Sequence, residues 1–271
     1  GLAQAQIIYE VIAEGGITRF MAIFSGKDAD KIGPVRSART FFLDWTLEYD
    51  APLVHVGGNI DALDLIRQIG VKDLDQFRYG TQAYWREPQA GKASEHTMFA
   101  STKKLYALVK ENGWETADFV KLELKEDAPV VPGANGTVPA SQKITVPFSS
   151  ATYEVGWTYD SATNTYSRSL AGSPHKDAVS NEQLKAKNII IQTVKRQPTL
   201  TRINETGWTM DTVGNGKAII IQDGQKIEGT WKKEAQKART RFYDGNNIEV
   251  KLNKGVTWYE IIPPEVTPAI E

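Results

Sequence analysis

With 271 residues, 41% of them hydrophobic and 24% charged, the chain has the composition of a folded globular protein rather than a disordered one, and it is long enough for two domains. Its 32 basic and 33 acidic residues are balanced in both halves, which excludes a basic nucleic-acid-binding module. The absence of cysteine excludes a disulfide framework, thiol catalysis and Cys-ligated metal, and no apolar run reaches the ~18–20 residues of a membrane span.

In chain order, the apolar runs Gln6–Ala13 and Ile17–Phe24 flank Gly15-Gly16 and read as a β-hairpin. A polar loop then leads to Gly33-Pro34. Ser37–Tyr49 follows as an expected helix, with Ser37 as its N-cap and Phe41, Trp45 and Glu48 near helical spacing. The segment "PLVHVGG" reads as a short buried strand. Asn59–Gln68 reads as a helix stopped by Gly70, and Ser101–Asn112 as a third helix closed by Gly113. Strand and helix alternate through this half, which defines an α/β unit over residues 1–126 with a mixed sheet. The prolines and glycines of "KEDAPVVPGANGTVPASQ" then mark a linker over residues 127–142.

Residues 143–271 carry short alternating strands, with turns at Asp223-Gly224 and Asp244-Gly245 and one helical stretch at Asn181–Lys187. The tail after Ile262 holds three prolines and is expected to be extended and weakly held. The fold class is therefore α+β: an N-terminal α/β domain followed by a smaller, mostly antiparallel β-rich domain. The tryptophans and tyrosines of the second half are expected in its core rather than in a row that stacks on sugar rings.

Polar chemistry concentrates in one stretch, Glu14 to Asn59. Arg36 and Arg39 flank the expected start of a helix, where free backbone N–H groups carry partial positive charge; with Arg19 they form a candidate pocket for phosphate, sulfate or carboxylate. Ser37 sits between them, and Lys31 is close enough in sequence to contribute. The competing reading pairs these arginines with Glu10, Glu14, Asp44 or Glu48 as structural ion pairs. His55 ends a strand and is followed by Gly57, Gly58 and Asn59 before a helix, a place where ligands approach open α/β sheets. A tight turn around a half-buried histidine is the alternative there. His96 is a further candidate for the same cleft, and His175 is expected in an exposed turn. The three histidines show no metal-ligand spacing, and no HExxH, P-loop or GxSxG occurs, so neither a metal nor a cofactor is expected.

The phrases "IIYEVIAEGGITRFMAIFSGKDADKIGPVRSAR" and "DAPLVHVGGNIDALDLI" closely resemble the YerB-like lipoproteins, a bacterial family of unknown function. The later "KAIIIQDGQKIEGTWKKEAQKARTRFYDGNNIEVKLNKGVTWYEIIP" resembles that family's C-terminal domain. The resemblance implies a two-domain, exported protein tethered by an N-terminal lipid anchor, expected to lie upstream of Gly1, with an envelope ligand or protein as partner. It implies no activity. "KIGPVRSAR" and "HVGG" are also similar to the LytR–CpsA–Psr envelope phosphotransferases, which hold a polyprenyl pyrophosphate with arginines. That family's Arg-Asp pair stands here as Arg36-Ser37, so the assisting acid is missing. The leading expectation is a binding protein for an anionic ligand; the alternative is an envelope enzyme acting on a phosphorylated polymer or lipid-linked glycan.

Overall fold

The N-terminal hairpin forms as its sequence dictates. β1 (Ile7–Glu14) and β2 (Ile17–Ile23) pair antiparallel, and Gly15 and Gly16 turn between them at φ of 58° and 76°, angles that carry no steric cost only for glycine. In the computed structural model, which describes residues 1–127 and 142–271, α1 (Thr40–Leu47), β3 (Leu53–His55), α2 (Ile60–Ile69), β4 (Asp73–Asp75) and α3 (Thr102–Glu111) follow. Two of these helices carry the expected caps. Asn59 accepts from the Ala62 N–H at 3.1 Å and Gly70 ends α2 at φ 68°, while Ser101 accepts from the Lys104 N–H at 3.4 Å.

The second half contributes β5 (Lys143–Pro147), β6 (Glu154–Asp160), β7 (Thr165–Leu170), β8 (Asn188–Thr193), β9 (Arg196–Leu200), β10 (Thr206–Met210), β11 (Gly214–Gln222), β12 (Gln225–Lys233), β13 (Arg241–Asp244) and β14 (Thr257–Ile262). The fold is α+β, built on a seven-stranded mixed sheet in the order β13-β12-β11-β8-β14-β1-β2. β14 runs parallel to both of its neighbours, β8 and β1, and the other pairs are antiparallel. The mixed sheet read into the N-terminal half is thus completed by strands from beyond the expected linker. Most of that linker, residues 128–141, lies outside the described residues.

β14 sits inside the sheet, between β8 and β1, and all six of its residues are buried, four of them apolar or aromatic, with Thr257 and Glu260 buried beside them. On one face Ile8, Ile189 and Trp258 pack against a second sheet through Ile144, Val155, Trp157 and Tyr166 of β5, β6 and β7. On the other face α1 lays Phe41, Phe42 and Trp45 over Tyr9, Ile190 and Tyr259. The Tyr9 ring is stacked 4.3 Å from Tyr259 and 5.3 Å from Trp45. Trp157, Trp231 and Trp258 are therefore core residues, as their sequence context indicates.

Two local expectations change. Asn181–Lys187 forms no helix: Asn181 takes φ 60°, and Lys185–Ala186 pairs as a strand with β7. The tail is anchored rather than loose, because Ala269 and Ile270 pair with Thr145 and Ile144 of β5 and Glu265 binds Arg196 at 2.9 Å. In both places pairing to a sheet edge decided the conformation, which local propensity does not encode.

Candidate functional site

Helix α1 begins at Thr40, three residues later than the sequence implies, and Arg39 rather than Ser37 occupies the N-cap position, with no side-chain capping bond. The reason lies in the β3–α2 loop. The Val56 N–H donates to the Arg36 carbonyl at 3.1 Å and the Ala38 N–H donates to the Gly57 carbonyl at 2.9 Å, so residues 36–38 are held extended. The Ser37 carbonyl accepts instead from Arg19 Nη1 at 2.8 Å.

Glu14, the last residue of β1, gathers two of the arginines. Arg19 Nη2 donates to its Oε2 at 3.1 Å, Arg39 Nε donates to its Oε1, and Arg39 Nη1 reaches the Ala38 carbonyl at 2.7 Å. This realises the ion-pair reading for those two residues. Arg36 makes no ion pair among the described residues; its Nη1 lies 3.2 Å from Nδ1 of the exposed His96. Burial, then the charges of Arg39 and Arg36, hold the Arg19 guanidinium down to about 10 against the opposing pull of Glu14. Two cations thus share one carboxylate, a third stands near them without one, and the group keeps net positive charge. Lys31 is not part of the group, since it binds Glu87 and lies 4.3 Å over the Phe99 ring.

Glu14 and Gly15 also form one wall of an open cleft of about 320 Å³. The opposite wall is the β9–β10 hairpin, through Pro198, Thr199, Leu200, Thr206, Gly207 and Trp208. The Arg196 guanidinium lies 4.2 Å from the Trp208 ring centroid and fixes the indole plane. Asn59 closes on the same wall, its Nδ2 standing 3.8 Å from where a Cβ on Gly207 would lie. The hairpin tip is pinned to α2 by Arg202 Nε on Asp64 Oδ2 at 2.8 Å. The volume is at the small end of ligand sites, room for a single ring-sized group.

The other candidates separate from this cleft. His55 is buried, with Nδ1 2.7 Å from the Gly57 carbonyl and Nε2 2.8 Å from Asp73 Oδ1. Both neighbours are acceptors, so the ring is held as a doubly donating imidazolium. Burial opposes that charge, but the bonds to Asp73 and Gly57 and the nearby Asp75 outweigh it and raise the His55 pKa above the usual histidine value. Gly57 takes φ 57° and donates its N–H to Asp75 Oδ1, while Gly58 bridges Ala38. These bonds are those of a tight turn around a buried histidine. Because the folded pKa is raised, His55 contributes its full stabilisation below about pH 6.5 and loses it as pH rises through the folded value. Thermal unfolding of the native chain is expected to weaken from pH 6 to pH 9 more than that of a His55→Gln variant; parallel curves would contradict this. His96 lies on a short 3-10 turn beside Arg36. His175 is half-buried rather than exposed, its ring centroid 6.2 Å from that of Phe20, and burial and then Arg168 push it down to about 4.

Comparison with known proteins agrees with this architecture. Residues 1–115 match the family described as protein of unknown function (DUF3048) N-terminal domain, and residues 144–259 match its C-terminal domain. The chain belongs to the DUF3048 family. It is 26% identical, over 97% of its length and 76% of the relative's, to the Bacillus subtilis (strain 168) protein named "Putative lipoprotein YerB". The crystal structure of Bacillus subtilis YerB superposes with a TM-score of 0.82 at 22% identity, covering 99% of this chain and 88% of that one, which shows a common fold. In this DUF3048 chain none of the sequence candidates lines the cleft itself: Arg19 and Arg39 connect to it through Glu14, and Asn59 stands behind Gly207. The sequence reading misses the hairpin that makes the cleft, along with Trp208 and Gly207. Pro198 obscured that hairpin, since proline argues against a strand unless the strand is an edge.

Proposed function

We propose that this DUF3048 protein is an extracytoplasmic, lipid-anchored binding protein that takes an anionic ligand at the cleft between the β1–β2 turn and the β9–β10 hairpin. The observation that carries the reading is the charge imbalance at Glu14, where one carboxylate serves Arg19 and Arg39 while Arg36 has only a histidine beside it. Burial first and then the charges of Arg39 and Arg36 hold Arg19 down; an incoming anion offsets that repulsion, and guanidinium groups match phosphate or carboxylate with paired N–H donors. The name borne by the Bacillus subtilis relative supports the lipoprotein part of the proposal.

Catalysis on a phosphorylated polymer or lipid-linked glycan is the weaker reading. His55, its candidate acid or base, spends both ring nitrogens on Gly57 and Asp73. Calorimetric titration with pyrophosphate at low salt tests the binding proposal. Arg36→Ala is expected to weaken binding about tenfold or more, the scale of one charge-assisted hydrogen bond. Gly207→Val is expected to abolish it, because a Cβ there meets nothing closer than 3.8 Å and so leaves the fold intact while its methyl groups enter the cleft. Undiminished affinity in both variants would sink the site.

A further inference from the structure

We infer that the anion bound at this cleft belongs to an acidic saccharide, one of whose sugar rings stacks on Trp208 while its phosphate or carboxylate meets the Arg19, Arg36 and Arg39 cluster. The inference rests on the anion-binding reading and adds the ligand's class to it. A site for a bare inorganic anion needs donors and little else. This cleft instead presents an aromatic ring, a proline, a leucine and two threonines on one wall and a carboxylate on the other.

That combination suits a pyranose. The C–H face of a sugar ring is apolar and flat, and it lies against an indole in the same way that other apolar rings stack on tryptophan. Its edge is a rim of hydroxyl groups that both donate and accept. Glu14, already fixed by two guanidinium groups, accepts from such hydroxyls, and the Thr199 and Thr206 hydroxyls do either. The platform is organised in advance. Arg196 lies against Trp208, and its own Nη2 is tied to Glu265, so little conformational entropy is lost on binding. Gly207, immediately before the tryptophan on β10, leaves open the space that a larger side chain would fill. An apolar or aromatic anion also stacks on indole, but it leaves Glu14 facing a surface without donors. A carboxylate with desolvated lone pairs is a cost that a hydroxylated ring removes.

The test is titration of the whole chain with a uronic-acid trimer, a neutral hexose trimer and inorganic pyrophosphate, using native protein, Trp208→Ala and Trp208→Phe, with thermal unfolding to confirm each fold. The expected result is that the acidic trimer binds at least tenfold more tightly than either other probe. Trp208→Ala should then lose about tenfold for the acidic trimer and nothing for pyrophosphate, and Trp208→Phe, which keeps a ring, should recover most of the loss. Pyrophosphate binding as tightly as the acidic trimer, with no effect of Trp208→Ala, overturns the saccharide inference and leaves the anion site standing. Equal binding of the neutral and acidic trimers, with pyrophosphate inert, overturns the anion site and this inference with it.

Discussion

Glu48→Gln is expected to destabilise the protein by about 3–5 kcal/mol, a fall of roughly 10 °C in Tm. Glu48 caps the C-terminus of α1 and is fully buried. Its Oε1 accepts from Lys233 Nζ at 2.9 Å and from Thr240 Oγ1, and its Oε2 accepts from Arg239 Nη1 at 3.0 Å and the Thr240 N–H at 3.1 Å. Lys233 is itself 0% exposed, and burial lowers its pKa against the pull of Glu48. Glutamine keeps the shape and removes the charge, so two buried cations lose their counterion at once. The effect reaches the site, because Glu48 ties α1 to the strands β12 and β13, and the N-terminus of α1 carries Arg39. Urea unfolding of the variant measures it; a loss under about 1 kcal/mol would mean that the ion cluster is dispensable.

Opposite behaviour is expected at a second buried cluster, where Arg168 from the smaller sheet binds Glu10, which faces Glu260 in register across β1 and β14. All three side chains are 0% exposed. One cation cannot balance two carboxylates, and the geometry shows how the excess is removed. Trp157 Nε1 donates to Glu260 Oε1 at 2.7 Å, Arg168 Nη2 donates to Glu10 Oε2, and the remaining oxygens, Glu10 Oε1 and Glu260 Oε2, have no other partner. We predict that a single proton held between them neutralises the excess charge. Burial, then the charge of Glu10, push the Glu260 carboxyl well above the usual carboxylate range.

A carboxyl whose folded pKa is raised stabilises most below the unfolded value of about 4.3 and costs stability as pH climbs toward the folded value. Glu260→Gln, whose amide oxygen takes the Trp157 bond and whose NH₂ donates to Glu10, should be as stable as the native chain or more so at pH 8. It should also flatten the pH dependence above pH 4. Arg168→Met removes the cation and should lose about 3–5 kcal/mol. Equal losses in the two variants would contradict the shared proton.

Much of the fold is legible in the sequence where structure is local. The Gly15-Gly16 turn, the caps at Asn59 and Ser101 and the turn at Asp223-Gly224 each follow from residues within a few positions of one another. What the sequence hides is long-range pairing. Nothing in Ile7–Glu14 says that it lies beside Thr257–Ile262, so the sheet that joins the two halves is invisible until the chain is folded. The same limit governs the site. The arginines were visible as a cluster because a short stretch holds Arg36 and Arg39, and Glu14 stood among their expected partners. The Ser37 cap failed because a loop twenty residues away claimed the backbone of residues 36–38. Trp208 reads as one core aromatic among several and does pack against the core beneath α1, while the position of its hairpin over Glu14 also puts it on the cleft wall.

The central claim is that an anion is bound by Arg19, Arg36 and Arg39 beside the cleft, and the most direct measurement is NMR of the arginine Nε–Hε resonances during titration with pyrophosphate and then the uronic-acid trimer. Saturable shifts in Arg19, Arg36 and Arg39, lost in the Gly207→Val variant, are the predicted result. Shifts confined to exposed arginines such as Arg67 and Arg78, or no saturable shift at all, would contradict it.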